Sequence, residues 1–153
     1  MILFLDSSAL IKNYVREAGT GAMQTKLRAT EIPFASQITF AECLYAFQRK
    51  FKSGELDRAA FQQASDEFLR DWKTKLSVLE VDAKTMASVP ALVTSLRSAD
   101  AIQLSSALWL GDAGRLGPQR PGRENAVEFA ASDEHLLEVA ARWGLQVFNP
   151  TTA

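Results

Sequence analysis

Ile2-Leu3-Phe4-Leu5 is an unbroken apolar run that ends at Asp6-Ser7-Ser8, the pattern of a short strand covered on both faces. The periodicity then turns helical, with Ala9, Leu10, Ile11, Tyr14 and Val15 on one face until Gly19 and Gly21 interrupt it. A short helix follows over 22–29. Residues 32–36 read as a second strand. Behind it Phe40, Cys43, Leu44, Phe47 and Phe51 recur at helical spacing up to Ser53-Gly54. Phe61, Ala64, Phe68, Leu69, Trp72 and Leu76 mark a second long amphipathic helix returning beside the first, so the two predict a helical hairpin.

Val78-Leu79-Glu80-Val81 predicts a third strand, and a helical stretch runs through Met86, Leu92, Val93 and Leu96, which Pro90 must restart or kink. Ser98 has the position of an N-cap for a compact helix over 99–110, buried through Ile102, Leu104, Ala107 and Leu108. The segment 111–125 carries Gly, Pro and Arg without apolar period and is expected to be a loop. A strand over 126–131, a helix over 133–143 stopped by Gly144, and a last strand over 145–148 complete the chain. Short strands alternating with helices imply an α/β fold, a mostly parallel sheet between two helical layers with the hairpin protruding. In such sheets the carboxyl ends of the strands and the amino ends of the following helices share the edge where ligands bind.

The length of 153 residues suits a single domain, 1–153. Apolar residues make up 47% and charged residues 23%, the balance of a globular protein rather than a disordered one. No apolar stretch reaches the roughly 18–20 residues of a membrane span, and the first strand lacks the basic start of a signal peptide, so a cytoplasmic protein with no membrane partner is expected. Net charge is −1, from 17 basic and 18 acidic side chains, which excludes binding nucleic acid by bulk charge and leaves only local contacts. The single cysteine, Cys43, cannot form an internal disulfide and reads as a small core residue.

Four acids change this picture. Asp6 ends the first strand, and Glu42, Asp100 and Asp133 each fall in the first turn of a predicted helix. Taken singly, each has a structural explanation, because the helix dipole favours acids there. Thr39-Phe40-Ala41-Glu42 matches a capping box, and Ser132 before Asp133 is a natural N-cap. Taken together, four carboxylates on one edge repel by several kcal/mol per close pair at an effective dielectric of about 20, so a cation must offset them. Oxygen donors without a His or Cys cluster suit Mg²⁺ or Mn²⁺ and disfavour zinc. An ion of that kind promotes phosphodiester hydrolysis.

These residues also carry a family resemblance. Ile2-Leu3-Phe4-Leu5-Asp6-Ser7-Ser8-Ala9-Leu10-Ile11-Lys12 resembles the opening of PIN domains, above all of VapC-type toxins. Leu96-Arg97-Ser98-Ala99-Asp100-Ala101-Ile102-Gln103-Leu104 is similar to their Leu-Arg-x-x-Asp-Ala-x-x-Leu stretch, and Phe129-Ala130-Ala131-Ser132-Asp133-Glu134-His135-Leu136 to their last acidic segment. Ser36-Gln37-Ile38-Thr39-Phe40-Ala41-Glu42 resembles the segment supplying the second acid. The resemblance spans nearly the whole chain and implies a PIN-like three-layer α/β/α sandwich. It implies a Mg²⁺- or Mn²⁺-dependent ribonuclease in which Asp6, Glu42, Asp100 and Asp133 hold one or two metals and Ser8 bonds the metal's water or the scissile phosphate. It further implies a VapB-like antitoxin partner and a homodimer, for which the hairpin's apolar surplus offers a surface. Pro90 and the long 111–125 segment depart from the family pattern without removing an acid.

Lys12, Arg16 and Arg97 stand beside these acids and are candidates for RNA phosphates, against a solvated helix face or a salt bridge to Glu17. Arg115, Arg120 and Arg123 bring three more charges to the 111–125 segment. His135, the one histidine, is read as structural, and Trp72, Trp109 and Trp143 as core or interface rather than base-stacking platforms. Three other functions compete. A haloacid-dehalogenase-like phosphatase would want a second Asp where Ser8 stands. A PIN-fold RNA-processing nuclease without a toxin role, or an inactive RNA- or protein-binding module, would keep the fold.

Overall fold

The computed structural model describes residues 1–113 and 126–153, and within them the chain forms five strands, seven α-helices and one 3-10 turn. The order is β1 (Ile2–Leu5), α1 (Ser7–Leu10), the 3-10 turn Ile11–Asn13, α2 (Thr20–Arg28), β2 (Phe34–Ser36), α3 (Ile38–Lys52), α4 (Arg58–Thr74) and β3 (Ser77–Leu79). Then come α5 (Val89–Leu92), α6 (Ser98–Ala113), β4 (Val127–Ala130), α7 (Glu134–Arg142) and β5 (Gln146–Phe148). The strands lie in the order β3-β2-β1-β4-β5, and every pairing is parallel.

Side-chain alternation along β1 divides the core into two layers. Phe4 faces Leu92, Leu96, Leu104, Leu136 and Val139 from α5, α6, α7 and the turn after α5. Leu3 and Leu5 face Leu10, Met23, Cys43, Phe47 and Phe68 from α1 to α4. The result is the expected three-layer α/β/α arrangement. β1 and its neighbour β4 are almost wholly buried, which is why β1 reads as a continuous apolar run.

The α3–α4 hairpin turns most of its rings inward. Tyr14, Phe40, Phe47, Phe68 and Trp72 pack with centroids 5.3 to 6.1 Å apart, and Phe51 stacks on Phe61 at 4.8 Å. Tyr45 (69% exposed) and Leu69 are the hairpin's large exposed apolar residues.

Two stretches differ from the local expectation. The stretch 82–96 is mostly turns: Asp82 accepts from the amides of Lys84 and Thr85, and the Thr85 hydroxyl donates to the Glu80 carbonyl at 2.7 Å, so side chains outcompete helical bonding. Only the single turn of α5 forms, with Pro90 at its start, where the missing N–H costs nothing. Helix α6 continues through 111–113, assigned to the loop from sequence, because Gly111 costs a helix only about 1 kcal/mol and no proline intervenes before Pro118. The remainder of that segment, including Arg115, Arg120 and Arg123, lies outside the described residues.

Candidate active site

In the order β3-β2-β1-β4-β5 the chain fills one side of β1 first and then returns to the other, so its direction reverses between β1 and β4. A crevice opens at the carboxyl ends of strands flanking such a switch. Asp6 follows β1 and Asp133 follows β4, while α3 brings Glu42 from behind β2 and the first turn of α6 brings Asp100.

Asp6 is held by the chain immediately after it. Its backbone is extended, and its carboxylate caps α1 by accepting the Ser8 amide at 3.0 Å and, in a short bond, the Ser8 hydroxyl. The Ser8 oxygen in turn accepts the Ser132 amide at 2.9 Å, and the Ser132 hydroxyl donates to the Ser8 carbonyl at 3.3 Å. This relay laces the end of β1 to the loop after β4. Ser132 is thus not the cap of α7, as its position suggested. Asp133 has that role, in extended backbone, accepting the Leu136 amide at 2.9 Å. The capping box at Glu42 does not form either. α3 starts two residues earlier than that motif requires, at Ile38, with no side-chain bond at its Gln37 cap, and Glu42 instead accepts from the side-chain amide of Gln103 at 2.7 Å.

The four carboxylates sense one another. Asp6 is 4% exposed, and its carboxyl is pushed from 3.8 to about 7: burial is the main cause, the Ser8 bonds oppose it, and the charges of Glu42 and Asp100 add to it. Asp100 is also pushed up, by burial and then by Asp133 and Glu42, with Arg97 and His135 opposing. The buried Cys43 thiol is raised by burial first and then by Asp6 and Glu42, which leaves it inert as a nucleophile. Among the described residues no Lys or Arg forms an ion pair with any of the four acids.

By donor chemistry, oxygen ligands without an ion-paired Lys or Arg among the described residues suit a hard divalent cation. As the side chains stand, no group of three or more Asp, Glu, His or Cys among the described residues is arranged to hold a metal ion.

No family model matches the sequence. Ribonuclease VapC46 of Mycobacterium tuberculosis is 30% identical over 151 residues, covering 97% of this chain and 98% of that protein. The chain belongs to the VapC ribonuclease family. Its PIN fold is shared with VapBC2 from Rickettsia felis bound to a DNA fragment from their promoter (TM-score 0.62, 15% identity, 97% of this chain and 98% of that one). FitAcB from Neisseria gonorrhoeae is similar to the same degree (TM-score 0.62, 14% identity, 97% and 98%).

The basic candidates of this VapC-family chain are placed differently from one another. Lys12 is only 7% exposed and is bound to Glu17 at 2.9 Å, turned away from the role of phosphate contact and into an ion network with Lys50. Arg16 is exposed, and Arg97 is exposed beside Asp100. His135 Nε2 lies 2.8 Å from the Ser95 carbonyl, which ties α7 to the turn before α6. Trp72 packs against Phe40 and Phe68, Trp109 lies against the α6–α7 core, and Trp143 is 43% exposed. No helix among the described residues is long and apolar enough to cross a membrane. Sequence reasoning gave Gln103 no role and read Thr39 and Ser132 only as helix caps. A signal existed for the first: a lone amide among Ala101, Leu104 and Ala107, one helical turn after Asp100.

Proposed function

We propose that this chain is a divalent-metal-dependent ribonuclease, the toxin of a toxin–antitoxin pair, with its site at the switch-point edge formed by Asp6, Glu42, Asp100 and Asp133. The observation that carries the reading is that four mutually repelling carboxylates are assembled from distant parts of the chain, with no ion pair to a Lys or Arg among the described residues. Membership of the VapC ribonuclease family supports RNA as the substrate. The VapBC and FitAB complexes of the same fold support a VapB-like antitoxin as the protein partner.

A bound Mg²⁺ or Mn²⁺ would supply neutralisation of phosphate charge and acidification of the attacking water. Asp6 and Asp100 hold their protons more tightly than ordinary carboxyls, so uptake of a cation by these residues would be coupled to proton release. Ser8 spends its hydroxyl proton on Asp6 and one lone pair on the Ser132 amide, so its work is to orient Asp6. Arg97 is the described cation best placed to hold a phosphate of the RNA backbone.

The test is cleavage of single-stranded and hairpin RNAs by chelator-stripped protein, each metal being added back in turn, with Asp133→Asn as the contamination control. Cleavage should return with Mg²⁺ or Mn²⁺ and not with Ca²⁺, whose longer and looser coordination misplaces the water. Cleavage that persists in excess chelator, or equally in Asp133→Asn, would return the acids to helix capping.

A further inference from the structure

Gln103 is completely buried on α6. A buried amide is tolerated when its groups are bonded, and here the bonding is one-sided. Its Nε2 donates to the Thr39 hydroxyl oxygen and to Glu42 Oε1, both at 2.7 Å, while its Oε1 has no partner among the described residues. Both protons of the amide are therefore used on one helix. Thr39 and Glu42 are three apart on α3, and Gln103 is three from Asp100 on α6, so this one side chain bridges the two turns that carry two of the acids. Facing the NH₂ toward Glu42 is the orientation that suits an ionised carboxylate, since the reverse would set two acceptors against each other. Stability alone gives no reason to keep a half-satisfied amide in this core, and orientation of a ligand does.

We propose that Gln103 is a positioning residue of the acidic site: by clamping Thr39 and Glu42 it fixes the Glu42 carboxylate relative to Asp100 and Asp6, where the group takes up a divalent cation. This rests on the cation reading of the site given above. Groups that orient a ligand from behind typically change metal affinity by about 10- to 100-fold when removed. Glu42 is only half-buried, so without the clamp its carboxylate can turn to solvent.

The experiment is calorimetric titration of the full chain with Mn²⁺, for the unmodified protein, Gln103→Met, Glu42→Gln and the double variant, with thermal melting in chelator alongside. Gln103→Met should weaken Mn²⁺ binding about tenfold or more with its melting point held or raised, and should add no more than about twofold in the Glu42→Gln background. Thr39→Val, which removes half of the clamp at nearly constant volume, should weaken binding in the same direction by less; it decides the matter if Gln103→Met fails to fold. Unchanged Mn²⁺ affinity in Gln103→Met, or an equal loss in both backgrounds, would overturn the role of Gln103 while leaving the cation site standing. Absence of Mn²⁺ binding by the unmodified chain would overturn the cation reading itself, and this inference with it.

Discussion

Replacing Asp6 by Asn in the metal-free protein changes one charge, almost no volume, and leaves a side chain that caps a helix as well as Asp does. Asp6 is buried, and its carboxyl is raised from 3.8 to about 7, by burial above all. A carboxyl whose proton is held more tightly in the folded than in the unfolded chain supports folding below pH 4. That support is lost as the pH climbs through 7, because ionisation then has to occur inside the fold. At about 1.4 kcal/mol per factor of ten in proton affinity, the ionised side chain costs the fold on the order of 4 kcal/mol at pH 8. Asn removes that cost but weakens the bonds from Ser8, which are stronger to a charged acceptor, by about 1 kcal/mol. Asp6→Asn should therefore stabilise the metal-free protein by about 2–3 kcal/mol at pH 8, a rise of roughly 4–12 °C in melting temperature for a chain of this size. At pH 4 the two proteins should melt together. The assay is thermal and urea unfolding in chelator from pH 4 to 8, with RNA cleavage measured on the same samples and expected to be abolished in the variant. A variant that melts below the unmodified protein at pH 8, or a gap independent of pH, would refute the reasoning and make Asp6 an ordinary cap whose charge is offset within the chain.

Ser8→Ala removes the donor to Asp6 and strands the Ser132 amide, so it should cost about 2 kcal/mol by urea unfolding and weaken Mn²⁺ binding near neutral pH, because Asp6 loses a bond that favours its ionised form. Glu17→Gln should destabilise the fold by about 2 kcal/mol at pH 7, since it leaves the buried Lys12 without its partner. Burial alone would raise the Glu17 carboxyl, but Lys12 and Lys50 hold it below 4.5. The stability it contributes is therefore present above that pH and lost in more acid solution, where the melting points of the two proteins should converge.

Much of the architecture is written in local pattern. The covered strand before Asp6, the two long amphipathic helices and the glycine stop at Gly144, whose φ is +89°, follow from periods of 2.0 and 3.6 and from backbone sterics, which need no knowledge of distant residues. Alternation of strand and helix implied the parallel sheet, and with it the edge where Asp6 and Asp133 follow β1 and β4. What tertiary structure decided is where individual polar groups spend their bonds. Glu42 abandoned its local cap for Gln103, Ser132 yielded the α7 cap to Asp133 to reach Ser8, and Lys12 turned from the site to Glu17, each choice depending on a partner that folding alone brings near. The hairpin's rings likewise pack on one another across the two helices. Periodicity records which face of an element is buried, but a hydrogen bond or ion pair depends on the distance between two particular atoms, and only the packed chain sets that distance.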